Sequence, residues 1–297
     1  MAAYSWRSSL GKSGLPANET LAPLPIAHYR KCDATWQPLA HHLRGAGILS
    51  RRFARKIGLK NLGELLGLLH DLGKYGEAFQ GYLRSAVGAL DPDVDEAYVD
   101  AGKRKGKIDH STAGAQLAWL ALSKRSDPWA GMAGQIIALC VASHHSGLVD
   151  CITPDGEDNF LRRMSKGDAL THLDEASAKA DARIVKRIRQ LIVSPGLRHE
   201  CERLLSAMQA RHVPPSVESK RQTPFMQKLG LAVRFAFSCL VAADRIDTAH
   251  FENPQGVRFR QGGAYRHWHV LADRLEKHLA GMAERHPIDR IRRDISL

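Results

Sequence analysis

The sequence predicts an all-α fold, because helical periodicity dominates the chain and strand-like alternation is hard to find. Apolar residues at the spacing of an amphipathic helix occur in two stretches: Leu62, Leu65, Leu66 and Leu69, and then Val233, Phe237, Leu240 and Val241. The chain has 297 residues and is 44% hydrophobic, which is enough for a sizeable core. We therefore expect a bundle of helices.

The periodicity predicts eight helices. They lie at residues 36–57, 61–73, 109–124, 131–145, 168–193, 198–211, 224–249 and 265–284. The leucine stripe defines the second helix, and Asp109 and Ser111 are candidate capping residues at the start of the third. An almost wholly apolar run defines the fourth, and the second stripe lies in the seventh.

Between these helices we expect loops at 88–107, 146–160 and 212–224. The first is long and changes from acidic to basic, which is typical of a functional surface loop. None resembles a domain linker, so we expect one domain over residues 1–297. The chain ends on a further amphipathic pattern, formed by Ile288, Ile291 and Ile295.

The formal net charge is +12 and the isoelectric point is about 9.7, with basic clusters at 103–107, 183–189 and 290–293. Such a balance favours a polyanionic partner such as nucleic acid. The five cysteines are widely spaced without a CxxC pair, which is typical of structural thiols in a reducing cytoplasm. No signal-peptide pattern and no membrane-length apolar stretch is present, so we expect a soluble cytoplasmic protein.

The stretch LLHDLGKYGEAFQ places His70 and Asp71 where the leucine-rich helix ends. On a helical wheel, His70 and Lys74 fall beside the leucine stripe, on the same flank as Gly63 and Gly67. Small residues there would let a neighbouring element approach the side that carries the polar groups. The alternative is an ordinary helix end, with Asp71 and Lys74 in solvent and a glycine cap.

Three more histidines stand near the ends of predicted helices. His110 follows Asp109 at a helix start, where a lone histidine is more often structural. His144 and His145 close an apolar segment, where two adjacent imidazoles are costly to desolvate unless they are partnered. Neutral imidazole nitrogen is a good ligand for transition metals.

Asp244 falls in the middle of the second apolar stripe. A bare carboxylate there would cost several kcal/mol or stay protonated, whereas a bound cation removes that penalty. Arg245 points about 100° away on the helix and is not its obvious partner. The alternatives are a different arginine partner or a helix end at this residue.

Together these positions offer several imidazoles and two carboxylates, each near a helix end. That ligand set suits a pair of divalent transition metals bridged by one carboxylate, with open positions for water and substrate. Such two-metal sites hydrolyse phosphate esters.

A resemblance to a known family rests on six stretches in one order: AHYR, WQPLAHHLRGAG, GLLHDLGKYGEAFQGYL, DHSTAGAQ, ASHHSGLVD and LVAADRIDT. They lie within residues 27–248 and resemble the HD-domain metal-dependent phosphohydrolases. Most of all, they resemble the HD nuclease domain of the type I CRISPR-associated helicase-nuclease. The resemblance implies an HD-domain helical bundle with a dinuclear metal site.

Carried over residue by residue, the resemblance implies two metal-binding sets that share one aspartate. They are His42, His70, Asp71 and Asp244, and then Asp71, His110, His144 and His145. His42 is chosen over the adjacent His41, because the family pattern places histidine directly before the leucine, here Leu43. Asp71 would bridge the metals, and Lys74 would contact the scissile phosphate. His28 would either support a ligand or contact the substrate. Imidazole-rich ligation favours Mn, Fe, Co or Ni over Mg.

The resemblance also implies a nuclease that hydrolyses DNA, chiefly single-stranded, in type I CRISPR antiviral interference. The basic clusters would hold the strand by its phosphates. In this family the domain is usually fused to a superfamily 2 helicase, yet no phosphate-loop motif occurs in this sequence. We expect residues 265–297 to form a C-terminal helix and the start of a linker to a helicase, with an RNA-guided surveillance complex as a further partner.

Two other functions stay open at this point. A phosphohydrolase acting on a nucleotide or cyclic dinucleotide would use the same metals but favours a closed pocket over an open basic groove. A nucleic-acid-binding or docking module would keep the metal site for structure alone.

Overall fold

The structure is a computed structural model that describes residues 24–88, 108–209, 225–260, 268–283 and 286–296. Apart from Gly88, the predicted loops at 88–107 and 212–224 lie outside the described residues, as does the basic cluster at 103–107.

A short hairpin and a series of helices make up the described part of the chain, which confirms the predicted all-α class. The hairpin consists of β1 (Ile26–Arg30) and β2 (Thr35–Pro38). The α-helices are α1 (Leu39–Ala54), α2 (Lys60–Leu69), α3 (Glu77–Ala86), α4 (Ser111–Leu122), α5 (Pro128–Ser143), α6 (Asn159–Met164), α7 (Asp168–Thr171), α8 (Leu173–Lys179), α9 (Ala182–Ile192), α10 (Pro195–Gln209), α11 (Phe225–Glu252), α12 (Trp268–Ala280) and α13 (Pro287–Ser296). Short 3₁₀ turns lie at Arg55–Ile57, Leu72–Tyr75 and Pro254–Phe259. No described helix is both long and apolar enough to cross a membrane.

The hairpin was not predicted from the sequence. β1 and β2 pair antiparallel, with His28 opposite Gln37 and Tyr29 opposite Trp36. Strands of five and four residues are too short to show a clear alternation in sequence. Because Pro38 keeps an extended backbone (ψ 137°), the helix predicted from residue 36 begins three residues later.

The helix predicted over 168–193 is three helices in the structure. His172 adopts a left-handed backbone (φ 53°), which ends α7 and starts α8. Ala180 is extended (ψ 145°), and the Asp181 carboxylate then caps α9 by accepting the N–H of Arg183. The helical periodicity of the sequence continues across both breaks and therefore did not predict them. α3 was not predicted at all.

α2 is buried on almost every side and forms the centre of the core. Its leucines at 62, 65, 66 and 69 are fully buried, as predicted from their spacing. α1 and α5 pack along it, and α9, α10 and α11 complete the surround. The amino end of α2 is held by Glu200 of α10, whose buried carboxylate accepts the N–H groups of Asn61 and Leu62.

Glycines let two helices touch the backbone of α2 near its carboxyl end. An ideal Cβ at Gly67 would lie 2.5 Å from the nitrogen of Gly47 in α1. An ideal Cβ at Gly114 of α4 would lie 1.9 Å from the carbonyl oxygen of Leu69. The close approach predicted on the glycine flank is therefore present, and it brings in α1, the helix that carries His42.

A second polar link ties α1, α2 and α9 together. Glu64 accepts hydrogen bonds from Arg51 at 2.6 Å and from two nitrogens of Arg187 at 2.6 and 2.9 Å. Burial alone would raise the pKa of Glu64, but the ion pairs with Arg187 and Arg51 outweigh it and lower that pKa.

Candidate metal centre

His70 and Asp71 lie where α2 ends, as the sequence predicted, although the helix is shorter than expected. The N–H of His70 still donates to the carbonyl of Leu66 at 3.1 Å. Asp71 leaves the helix (φ −112°, ψ 19°), and the 3₁₀ turn Leu72–Tyr75 follows. Gly73 does not cap the helix but packs against the backbone of His110, whose carbonyl oxygen would lie 2.2 Å from an added Cβ.

One group of side chains, called here the acidic cluster, consists of His42, His70, Asp71 and Asp244. His42 Nε2 lies 3.2 Å from His70 Nε2 and 3.4 Å from both Asp71 Oδ2 and Asp244 Oδ1. His70 Nε2 lies 3.3 Å from Asp71 Oδ2 and 3.6 Å from Asp244 Oδ1. Helices α1, α2 and α11 thus each direct polar atoms to one point in a largely buried space.

A second group, called here the histidine cluster, consists of Asp71, His110, His144 and His145. Asp71 Oδ1 lies 3.5 Å from His110 Nε2, 3.4 Å from His144 Nε2 and 3.9 Å from His145 Nε2. The Nε2 atoms of His110 and His145 are 2.7 Å apart. The side chain of His145 is 52% exposed, so this cluster opens to solvent.

Asp71 joins the two clusters through its two oxygens. Oδ2 faces His42 and His70, whereas Oδ1 faces His110, His144 and His145. Its side chain is 1% exposed, so the carboxylate is withdrawn from water. A carboxylate that presents one oxygen to each of two ligand groups has the arrangement of a bridge.

Two imidazoles are oriented by carbonyls of their own helices. His70 Nδ1 donates to the carbonyl of Gly67 at 2.9 Å, and His144 Nδ1 donates to the carbonyl of Val141 at 2.7 Å. A carbonyl can only accept, so Nδ1 carries the proton in each ring. In the neutral ring, Nε2 then offers its lone pair to the cluster, as a metal ligand must.

His42 and His110 are oriented in the same sense. His42 Nδ1 donates to Asp247 Oδ2 at 2.8 Å, and His110 Nδ1 faces the carbonyl of Ile108 at 3.4 Å. Acceptors on the outer nitrogens of metal-binding histidines fix ring orientation and raise ligand basicity. Imidazoles on four separate segments are therefore set with Nε2 inward.

The acidic cluster carries negative charge that calls for a cation. Burial would raise the pKa of both aspartates. Lys74 and the imidazoles lower that of Asp71, and the imidazoles of His42 and His70 lower that of Asp244. Burial would lower the pKa of His42 and His70, but Asp71 and Asp244 raise these values to about 10 and about 9. The carboxylates thus draw positive charge onto the nearest bases.

The histidine cluster is electrically different. Burial lowers the pKa of His110 to about 3 and that of His145 to about 4. Both rings are therefore neutral near pH 7, which is the state that binds transition metals.

The residues fit a metal pair by two measures. Ligands that share a transition metal at about 2.1 Å stand roughly 3.0–3.4 Å apart in octahedral or tetrahedral geometry, close to the separations in both clusters. Asp71 Oδ1 and His144 Nε2 are buried without a hydrogen-bond partner among the described residues. Buried polar atoms are rarely left so unless an ion or water satisfies them.

The other predicted residues lie near the same site. Lys74 Nζ is 2.7 Å from Asp71 Oδ2 and is almost fully buried, so the solvated helix end considered above is wrong for Lys74 and Asp71. His28 stacks its edge against His42 with ring centroids 4.8 Å apart, and its Nε2 lies 3.3 Å from Thr248 Oγ1. His41, next to His42, is exposed on another face of α1.

Asp244 does not pair with an arginine among the described residues; the ion pairs it makes there are with His42 and His70. It also does not end its helix, since α11 continues to Glu252. The two alternatives weighed for this residue are therefore not the ones that the structure shows.

Sequence reasoning missed two contacts of the site. Phe79 of α3 lies with its ring centroid 4.6 Å from that of His110 and 5.5 Å from Lys74 Nζ. It was missed because α3 itself was missed. Asp247 was also missed, although its position three residues after Asp244 places both on one helix face, which is the signal that would have found it.

Asp109 caps α4, as predicted, and it also contacts the segment that follows α6. Its carboxylate accepts the N–H of Thr112 at 3.0 Å and a hydrogen bond from Lys166 at 2.8 Å. Burial would raise the pKa of Asp109, but Lys166 and Thr112 lower it to about 2. The backbone around His110 is held in place by this network.

Comparison with known proteins agrees with this geometry. The family described as "Cas3, HD domain" matches residues 25–246, which is most of the chain and includes both clusters. Among curated proteins, none matches. The match therefore identifies the chain as a member of the Cas3 HD-domain family, the metal-binding nuclease domains of type I CRISPR systems.

Proposed function

We propose that the two clusters bind two divalent transition-metal ions and that the domain cleaves DNA, chiefly single-stranded, with them. The observation that carries this proposal is Asp71, which turns one oxygen to each cluster. The acidic cluster would hold one metal and the histidine cluster the other, with Asp71 as their bridge. When bound, such metals activate water and stabilise negative charge on phosphoryl oxygens.

The ligand chemistry supports Mn, Fe, Co or Ni over Mg. Imidazole nitrogen suits later transition metals, whereas Mg prefers oxygen ligands and retains water. The histidine cluster supplies three imidazoles and one carboxylate oxygen. The acidic cluster supplies two imidazoles and two carboxylates, the harder of the two ligand sets.

The chain's own groups have separate roles in this proposal. Lys74, within 2.7 Å of the bridging carboxylate, places a positive charge where a scissile phosphate would lie. His28 supports His42 by ring contact. Burial lowers the pKa of His28 to about 3, so this ring is neutral at pH 7. The exposed face of His145 is the side from which a strand can approach the histidine cluster.

Charge supports a polynucleotide substrate. The chain carries a formal net charge of +12. On α9, Arg183, Lys186 and Arg189 are exposed to solvent. Lys and Arg side chains bind phosphates without regard to sequence, and their contribution weakens as salt rises. Family membership further supports a superfamily 2 helicase, in the same or a partner chain, and an RNA-guided surveillance complex as partners.

The test is cleavage of circular single-stranded DNA by metal-free protein supplied in turn with Mn, Co, Ni, Fe and Mg. We expect cutting with the transition metals and loss of cutting in Asp71→Ala. Asp155→Ala is the matched control, because Asp155 is an exposed aspartate on the loop between α5 and α6. The control should cut like the wild type.

Three outcomes would contradict the proposal. Absence of cutting with every metal would favour a docking module. Hydrolysis of mononucleotides or cyclic dinucleotides with the DNA left intact would favour a small-nucleotide phosphohydrolase. Cutting by Asp71→Ala with two metals still bound would remove the bridge from the mechanism.

A further inference from the structure

Asp247 lies on α11 one helical turn after Asp244 and touches a residue of the acidic cluster. Its Oδ2 accepts the Nδ1–H of His42 at 2.8 Å and the Nε2–H of Gln37 at 2.9 Å. The Asp247 side chain is 14% exposed, and those of His42 and Gln37 are buried. Residues far apart in sequence, from β2, α1 and α11, thus meet at one carboxylate oxygen.

The position of this carboxylate depends on a glycine. An ideal Cβ at Gly45 would lie 1.9 Å from Asp247 Oδ1 and 2.8 Å from its Cγ. A side chain at position 45 would displace the Asp247 carboxylate from its present position, so glycine here leaves the carboxylate room beside α1. Gln37 then holds Oδ2 from the strand side.

The hydrogen bond has a chemical consequence for His42. An ionised carboxylate only accepts, so it keeps the proton on Nδ1 and leaves Nε2 to the acidic cluster. The other inward-facing histidines use backbone carbonyls, which carry no net charge. Of these ligands, His42 alone has a carboxylate behind it among the described residues, and such a partner raises ligand basicity.

We propose that Asp247, held by Gln37 and Gly45, is a positioning residue that sets the metal affinity of the acidic cluster through His42. The histidine cluster makes no contact with it in the described structure and keeps its own affinity. This inference rests on the proposed function only in taking His42 as a metal ligand. It needs no assumption about the substrate.

The test is Co²⁺ binding to metal-free protein, followed by visible absorption and by titration calorimetry. The wild type should bind two ions. In Asp247→Ala, one site should weaken by about 10- to 100-fold, as is typical when the partner behind a metal-binding histidine is removed, and the other should not change. Glu252→Ala removes an exposed carboxylate from the same helix and should bind like the wild type.

Two further variants separate positioning from general damage. Asp247→Asn keeps an oxygen acceptor for His42 and should recover most of the lost affinity. Gln37→Ala removes a single hydrogen bond to Oδ2 and should weaken the same site by less than Asp247→Ala does. Gln37→Ala is a small change. It therefore tests the positioning role of Asp247 even if Asp247→Ala does not fold.

Several results would overturn the inference. If Asp247→Ala folds and binds two Co²⁺ ions like the wild type, the inference is overturned. Equal weakening of both sites with a lower unfolding temperature of the metal-free protein would show a purely structural role. An asparagine variant no better than alanine would contradict the argument from the proton on Nδ1. Wild-type protein that binds no Co²⁺ would overturn the proposed metal centre and this inference together.

Discussion

Lys74 Nζ lies 2.7 Å from Asp71 Oδ2, and both side chains are almost completely buried. The ammonium of Lys74 neutralises part of the negative charge of the Asp71 carboxylate. Asp71 Oδ1 stays directed at the histidine cluster. The lysine is thus fixed beside the point where two metals and a phosphate would meet.

Replacing Lys74 with methionine should lower cleavage without removing metal. The variant loses a positive charge that stabilises the reacting phosphate, and losses of about 10²- to 10³-fold in kcat are typical for one such group. Metal content should stay at the wild-type level, since the ammonium is not a ligand. Lys60→Met, at an exposed position of α2, is the control. Full activity of Lys74→Met would contradict this role.

Metal should stabilise the fold, because the proposed ligands lie on separate segments that metal binding would tie together. An ion at 100 times its Kd adds about 2.7 kcal/mol to the free energy of unfolding for each site. We expect Asp71→Ala to lose most of this gain and Asp155→Ala to keep it, as measured by urea unfolding with and without Mn²⁺. An equal metal-induced gain in Asp71→Ala would argue against the bridge.

Gly114→Ala should destabilise the protein by about 1–3 kcal/mol, because overpacking of a tight contact forces the backbone to move. The added methyl would meet the carbonyl oxygen of Leu69, one residue before His70. Gly131→Ala in α5 is the matched control, since an added Cβ there meets nothing within 4 Å. That change should instead stabilise the helix by about 0.5–1 kcal/mol. Similar unfolding midpoints for the two variants would contradict the close packing.

Glu64→Gln should reduce stability at neutral pH and do so less in acid. The ion pairs with Arg187 and Arg51 lower the pKa of Glu64, so its carboxylate stabilises the fold above its unfolded pKa of about 4.3. That contribution is lost as pH falls through the lowered folded pKa. Because the arginines are partly exposed, we expect a loss of about 1 kcal/mol at pH 7.

Urea unfolding of wild type and Glu64→Gln at pH 7, 5 and 3.5 measures this dependence. The difference between the two proteins should narrow below about pH 4. Glu157→Gln, at an exposed glutamate, should show no difference from the wild type at any pH. A gap between wild type and Glu64→Gln that is constant across this range would contradict the ion-pair account.

Local patterns predicted much of this molecule from sequence. The leucine stripe of α2 is buried as its spacing required, and Asp244, predicted within the second apolar stripe, is 19% exposed. Burial of one helix face can be predicted because it depends on the apolar periodicity of that helix alone.

What sequence did not predict depends on backbone states and distant contacts. The break at His172 requires a left-handed backbone, which a histidine in the sequence does not predict. The hydrogen bond between His42 and Asp247 joins residues 205 positions apart, so no local pattern contains it. The same holds for Phe79, which reaches His110 through a helix that the apolar spacing did not reveal.

The most direct test of the account is anomalous diffraction at the manganese edge from crystals of the protein grown with Mn²⁺. We expect two peaks, one among His42, His70 and Asp244 and one among His110, His144 and His145, with Asp71 between them. A map with no peak at either cluster, or with metal bound elsewhere and Asp71 still paired to Lys74 alone, would contradict the central claim that Asp71 bridges two metals.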